Sequence, residues 1–164
     1  MTDQPTIRIL LVDDEETLLE SLSKRLLKQG YTVKATFSGE EAVKVAQDAH
    51  FDVAIVDLKM PGIDGVETQK RLRQIQPFLQ CIVLTGHGSI ETALESGQQE
   101  AFQYMLKPVD YDNLIISIQK AYEKKMKLQN QEFKEKVAAI TTSGMGAHGI
   151  RKAISELHKI YGIE

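Results

Sequence analysis

Four short stretches of this chain end in residues that could do chemistry together. Asp57 closes the apolar run Asp52-Val53-Ala54-Ile55-Val56, and the turn segment Leu58-Lys59-Met60-Pro61-Gly62-Ile63-Asp64-Gly65 follows at once. The run Ile7 to Val12 leads into Asp13 and Asp14, the run Cys81 to Leu84 into Thr85, Gly86, His87 and Gly88, and the run Phe102 to Leu106 into Lys107 and Pro108. An acid after a strand most simply caps the next helix, and Asp57 alone would be read that way. Short, β-branched, unalternating runs bounded by turn residues, however, read as strands buried on both faces. Right-handed crossovers between parallel strands bring all their carboxyl ends to one edge of the sheet. That edge then collects three carboxylates, a hydroxyl and an ammonium.

Two carboxylates about 4 Å apart repel by roughly 4 kcal/mol at an effective dielectric near 20, equivalent to about three pKa units. Such a cluster needs protons or a cation. Hard oxygen donors, with neither cysteine nor a histidine pair among them, favour Mg2+ over zinc or copper. Magnesium takes one or two carboxylates and completes its shell with water and phosphate oxygens, so the chemistry these residues suit is that of a phosphoryl group.

Taken in order and at this spacing, Val12-Asp13-Asp14, Asp57 with Met60-Pro61-Gly62, Thr85-Gly86 and Lys107-Pro108 resemble the receiver domain of two-component response regulators. The resemblance covers about residues 5 to 126, and the boundaries it implies are a receiver over 1–126 and a helical extension over 127–164. The stretch from Thr85 to Ala93 is most similar to receivers that control enhancer-binding transcription activators of the nitrogen-regulatory and dicarboxylate-transport type. The resemblance implies that Asp57 is the phosphoacceptor, with a histidine kinase or phosphotransfer protein as donor. It implies a Mg2+ site of Asp14, Asp57 and the backbone carbonyl of Lys59, with Asp13 as outer acidic partner. Thr85 would bond the phosphoryl oxygens, Lys107 would neutralise one of them, and the bond from Lys107 to Pro108 would be cis. Tyr104, three residues before Lys107, matches the aromatic that turns inward when the threonine moves. The changed surface would be the fifth strand with the helices before and after it, read by a downstream protein. His87 and Lys59 stand where the family varies, tuning access of water to the acyl phosphate or simply facing solvent. Phosphotransfer to itself and autodephosphorylation would be the chain's only catalysis.

The elements that must hold these residues in place are legible too. The pattern predicts an α/β fold: a doubly wound, five-stranded parallel sheet in the order 2-1-3-4-5, flavodoxin-like, with helices on both faces and a C-terminal helical extension. The alternating segment Thr32-Val33-Lys34-Ala35 reads as an edge strand. Ser38-Gly39-Glu40-Glu41 and Asp64-Gly65-Val66-Glu67 read as capping boxes opening the second and third helices, and Gly30 as the end of the first. Leu18, Leu19, Leu22 and Leu26 form a core stripe, as do Ala42, Val43 and Ala46. Glu15 and Glu16 suit the positive end of the first helix.

The chain has 164 residues, 42% of them hydrophobic, a net charge of −3 and one cysteine. These bound it to one α/β core with an appendage, without a disulfide framework or an electrostatic footprint for nucleic acid. Its first residues do not read as a signal peptide and no apolar run has membrane length, so a cytoplasmic location without membrane contact is expected. His50, His148 and His158 lack ligand spacing. The last core helix begins near Asp110, with Tyr111, Leu114, Ile115, Ile118, Ala121 and Tyr122 toward the sheet, and nothing stops it before about Ile140. A glycine-rich hinge over 141–149 follows. Ile150, Ala153, Ile154, Leu157, Ile160 and Tyr161 then line one face of a last helix that must dock to be ordered, on its own receiver or, the favoured choice, on a second copy in a homodimer. Two other readings of the whole stay open. One is a receiver used as a scaffold independent of phosphorylation. The other is a Mg2+ phosphatase of the haloacid dehalogenase type, whose signature wants an acid where this chain has Lys59.

Overall fold

The computed structural model describes residues 6–86 and 101–162. Five parallel strands, β1 (Arg8–Val12), β2 (Thr32–Thr36), β3 (Val53–Asp57), β4 (Gln80–Thr85) and β5 (Gln103–Leu106), form one sheet in the order β2-β1-β3-β4-β5. Helices α1 (Glu16–Lys28), α2 (Gly39–Asp48) and α3 (Gly65–Ile75) connect them, and α4 (Tyr111–Thr141) and α5 (Ala147–Tyr161) follow β5. His87 and the rest of the β4–β5 crossover up to residue 100 lie outside the described residues.

Strand pattern and sheet position agree. Every residue of β3 and β4 is buried, whereas β2 alternates between exposed and half-buried positions and β5 has no buried residue, in keeping with their places at the two edges. Period-2 alternation divides the core in two. Ile9, Leu11, Val53, Ile55, Ile82 and Leu84 face Leu19, Leu22 and Leu26 of α1 and Leu114, Ile118 and Ala121 of α4. Leu10, Val12, Ala54, Val56 and Cys81 face Ala42 and Ala46 of α2 and Leu72 of α3. Burial pushes the Cys81 thiol up to about 12, the behaviour of an inert core residue.

The register places the strand ends side by side. Val12 pairs with Val56, Asp57 with Leu84, and Thr85 with Leu106. Asp13, Asp57, Thr85 and Lys107 therefore leave the sheet at one level. Helix starts are fixed as expected at Ser38, whose Oγ accepts from the Glu41 N–H (3.1 Å), and at Asp64, whose Oδ1 accepts from the Glu67 N–H (2.9 Å). Glu41 departs from the full capping box, because its carboxylate accepts from the N–H of Phe37 (3.0 Å) rather than from that of Ser38. Asp110 opens α4, accepting from Asn113 N–H at 3.2 Å.

The chain divides into two compact units between Glu123 and Lys124. Helix α4, 31 residues long, contributes residues to both units. In the second unit, Gly144 turns the chain at φ 81° and α5 returns, closing on Gly162 in the left-handed region. Phe133 of α4 stacks on His158 (5.1 Å between centroids) and meets Tyr161 edge-on (5.9 Å), Lys136 Nζ sits 5.2 Å from the Tyr161 ring centre, and Leu157 is buried. The apolar stripe of α5 thus packs on the chain's own long helix, a place that neither of the two sequence-based expectations named. Ile160 is 73% exposed and does not belong to that stripe.

Candidate functional site

Oxygens of Asp13, Asp14 and Asp57 lie within 4.8 Å of one another. Asp13 and Asp57 are buried, while Asp14 is exposed at the mouth. The Lys107 ammonium reaches the cluster from the residue after β5, 2.8 Å from Asp13 Oδ2, 3.5 Å from Asp57 Oδ1 and 3.8 Å from Glu15 Oε2. Asp13 also accepts from the Glu15 backbone N–H at 2.9 Å. Its carboxylate is therefore already occupied by protein donors, whereas Asp14 presents its oxygens to solvent.

The electrostatics follow from this crowding. Burial raises the Asp57 pKa first and the charge of Asp13 raises it further, with Lys107 working in the opposite direction. Burial by itself would lower the Lys107 pKa, but the hydrogen bond and charge of Asp13, joined by those of Asp57, outweigh it and leave the ammonium more basic than usual. One ammonium among three clustered carboxylates leaves an excess of negative charge. Oxygen donors at this spacing, with Asp14 exposed beside the buried Asp57, fit a hard divalent cation such as Mg2+.

The backbone makes room for this. A Cβ at Gly65 would collide with the Asp57 carbonyl and the Leu58 Cα, so only glycine lets α3 start this close to the end of β3. The Gly65 N–H donates to the Leu58 carbonyl at 2.8 Å and the Leu58 N–H to the Leu84 carbonyl at 3.0 Å, which ties Asp57 to β4. The bond from Lys107 to Pro108 is cis, as the resemblance implied. Thr85 lies beside Asp57 in the sheet and is buried, its hydroxyl 3.4 Å from the Gly86 carbonyl, a long hydrogen bond that holds it weakly. Tyr104 pairs with Val83 and packs half-buried against Leu58 and Val83. Lys59 is exposed in the turn after Asp57.

Asp13, Asp14, Asp57, Thr85 and Lys107 thus converge from four strand ends. The sequence reading gave Glu15 only to the start of α1. Its carboxylate in fact stands at the rim of the site near Lys107, and its backbone N–H fixes Asp13. The signal was there in its adjacency to Asp14, but a charge at a helix start has a sufficient local explanation.

The family model for the response regulator receiver domain matches residues 9–119. The transcriptional regulatory protein GlrR of Escherichia coli K12 is 36% identical over 137 residues, 84% of this chain and 31% of that protein. ZraR of the same strain is 30% identical over 151 residues, 92% of this chain and 33% of its own length. The chain therefore spans about a third of the curated relatives it matches. Among solved structures, a receiver domain from Clostridium thermocellum superposes with a TM-score of 0.69 at 33% identity, covering 74% of this chain and 98% of that one. The response regulator TrrA of Thermotoga maritima, solved in complex with Mg2+ and BeF, gives 0.63 at 33% identity over 71% and 99%.

Proposed function

Because the chain belongs to the response regulator receiver family, we propose that it is a phosphorylation-activated switch in which Asp57 takes a phosphoryl group from the phosphohistidine of a histidine kinase or phosphotransfer protein. An Asp57 carboxylate oxygen attacks the phosphorus, the P–N bond breaks, and the departing imidazole nitrogen keeps the electron pair and takes up a proton. The result is an acyl phosphate on this chain and a free histidine on the donor. Asp14, Asp57 and the Lys59 carbonyl would hold Mg2+, with Asp13 as outer partner. When bound, the ion supplies charge neutralisation at the phosphoryl oxygens. Lys107 neutralises another of these oxygens, for which it must loosen its hold on Asp13, and Thr85 donates its weakly held hydroxyl to a third. As Thr85 moves, Tyr104 turns into the space it leaves, and the surface around β5 changes for a downstream protein. Hydrolysis of the acyl phosphate by water resets the site.

The observation that carries this reading is the cluster itself: three carboxylates within 4.8 Å, one ammonium among them, at the carboxyl ends of parallel strands. No helix among the described residues is long and apolar enough to cross a membrane, which suits a cytoplasmic partner of such kinases. The test is intact-mass analysis after exposure to a small phosphodonor. Wild type should gain one phosphoryl group with Mg2+ and none without it, and Asp57→Asn none in either case. Equal labelling of both proteins overturns the assignment, and turnover of an external phosphoester would favour a phosphatase instead.

A further inference from the structure

The connection from β3 to α3 is nailed at both ends by backbone. Leu58 N–H bonds to β4, Gly65 N–H bonds back to the Leu58 carbonyl, and Asp64 then caps α3. Residues 59–63 form a crest between these points, with Lys59, Pro61 and Gly62 exposed and Met60 half-buried against the α2–α3 side of the core. Glu40, in the first turn of α2, reaches that crest from a different crossover: its Oε1 accepts from the Ile63 N–H at 3.0 Å. Gly62, at φ 78°, lies so close that a Cβ there would run into the Glu40 carboxylate. The Ile63 N–H is also the largest influence holding the Glu40 carboxyl below its usual pKa.

The base from which Glu40 reaches out is rigid. Ser38 caps α2 independently, and Gly39 meets Thr68 and Ile63 with no room for a Cβ, so α2 is pressed against the start of α3. Glu40 itself is exposed and contributes nothing to the core.

We propose that Glu40 is a positioning residue whose carboxylate clamps the crest of the β3–α3 connection and so presets the Lys59 carbonyl for Mg2+. This rests on the reading above in which that carbonyl is a ligand. A carbonyl on an untied crest must be ordered when the ion binds, and the lost freedom is subtracted from affinity. A crest already held by Glu40 has been ordered during folding.

Calorimetric titration of the full chain with Mg2+ tests it, using wild type, Glu40→Ala, Glu40→Gln and Glu67→Ala. Glu40→Ala should weaken binding about three- to tenfold, the weight of one net hydrogen bond. Glu40→Gln keeps an acceptor oxygen and should stay within about twofold of wild type. Glu67, in the first turn of α3, pairs with Arg71 at 2.9 Å, so Glu67→Ala removes the same charge while leaving the Glu40–Ile63 hydrogen bond in place and should leave affinity unchanged. Exchange of the Ile63 amide should quicken in Glu40→Ala alone. A wild type that takes up no Mg2+ overturns the functional reading and the clamp with it. A wild type that binds while Glu40→Ala binds as tightly overturns the clamp alone. Equal losses in Glu40→Gln and Glu40→Ala would mean that charge, not the hydrogen bond, acts, and a loss that only follows a lowered melting midpoint would make Glu40 structural; either result overturns the proposal.

Discussion

Asp57 carries a cost that its neighbours impose. Its pKa is raised in the folded protein by burial and by Asp13, so ionising it opposes folding. For a group raised in this way, the folded state is favoured below the unfolded pKa, near 3.9, and that advantage is lost as pH climbs through the higher folded value. Asp57→Asn should therefore raise the thermal midpoint at neutral pH. The gain should shrink below about pH 4, and thermal melts at a series of pH values will check it. Asp13 and Asp14 should differ in kind. Asp13 already serves Lys107 and the Glu15 N–H, while Asp14 faces solvent. Asp14→Asn should accordingly abolish the stabilisation by Mg2+ expected for wild type, about 2.7 kcal/mol at a hundredfold excess over Kd, and Asp13→Asn should weaken it less. The reverse order in Mg2+ titrations would exchange their roles.

At the scale of elements, the decisive junctions are where strands hand over to helices. Gly65→Ala puts a methyl group into the Asp57 carbonyl and the Leu58 Cα, so α3 must shift or the end of β3 must give. A loss of about 2–4 kcal/mol in denaturant unfolding is expected, with weaker labelling of Asp57 in what remains folded. Thr85 and Tyr104 sit on adjacent strands, one beside the site and the other packed toward Leu58 and Val83. Thr85→Ala should still accept phosphate yet lose most of the phosphorylation-dependent change in amide exchange along β5, since coupling needs two states that differ in contacts. An unaltered exchange response would remove Thr85 from the switch.

For the whole molecule, the question is what the second unit adds to the first. Its helices pack through Phe133, His158, Tyr161 and Leu157, which takes away the motive that the apolar stripe alone gave for a homodimer. Phe133→Ala should release α5, seen as fast amide exchange over 147–161, while Mg2+ affinity and Asp57 labelling stay as in wild type. A chain ending at Glu123 should retain the sheet, the cluster and the labelling, because the buried residues of α4 that serve the sheet, Leu114, Ile118 and Ala121, all precede the cut. Sedimentation of the full chain should give a single 18.4 kDa species; a dimer that survives Phe133→Ala would point instead to an exposed residue such as Ile160.

The strand runs, their ends and the order of the sheet were legible because burial on both faces leaves a continuous apolar signature, and because crossover handedness makes the end of each strand predictable from its place in the chain. Asp13, Asp14, Asp57, Thr85 and Lys107 could be assembled on paper for that reason alone. Ser38 and Asp64 were equally readable, since a cap is satisfied within three residues of itself. Side-chain reach across crossovers was not readable. That Lys107 rests on Asp13, that Glu15 stands at the rim, that Glu40 holds Ile63 and that α5 returns onto Phe133 are pairings between residues 23 to 94 positions apart, or between groups with adequate local explanations of their own. Periodicity records which face of an element is buried. Only the packed structure decides against what.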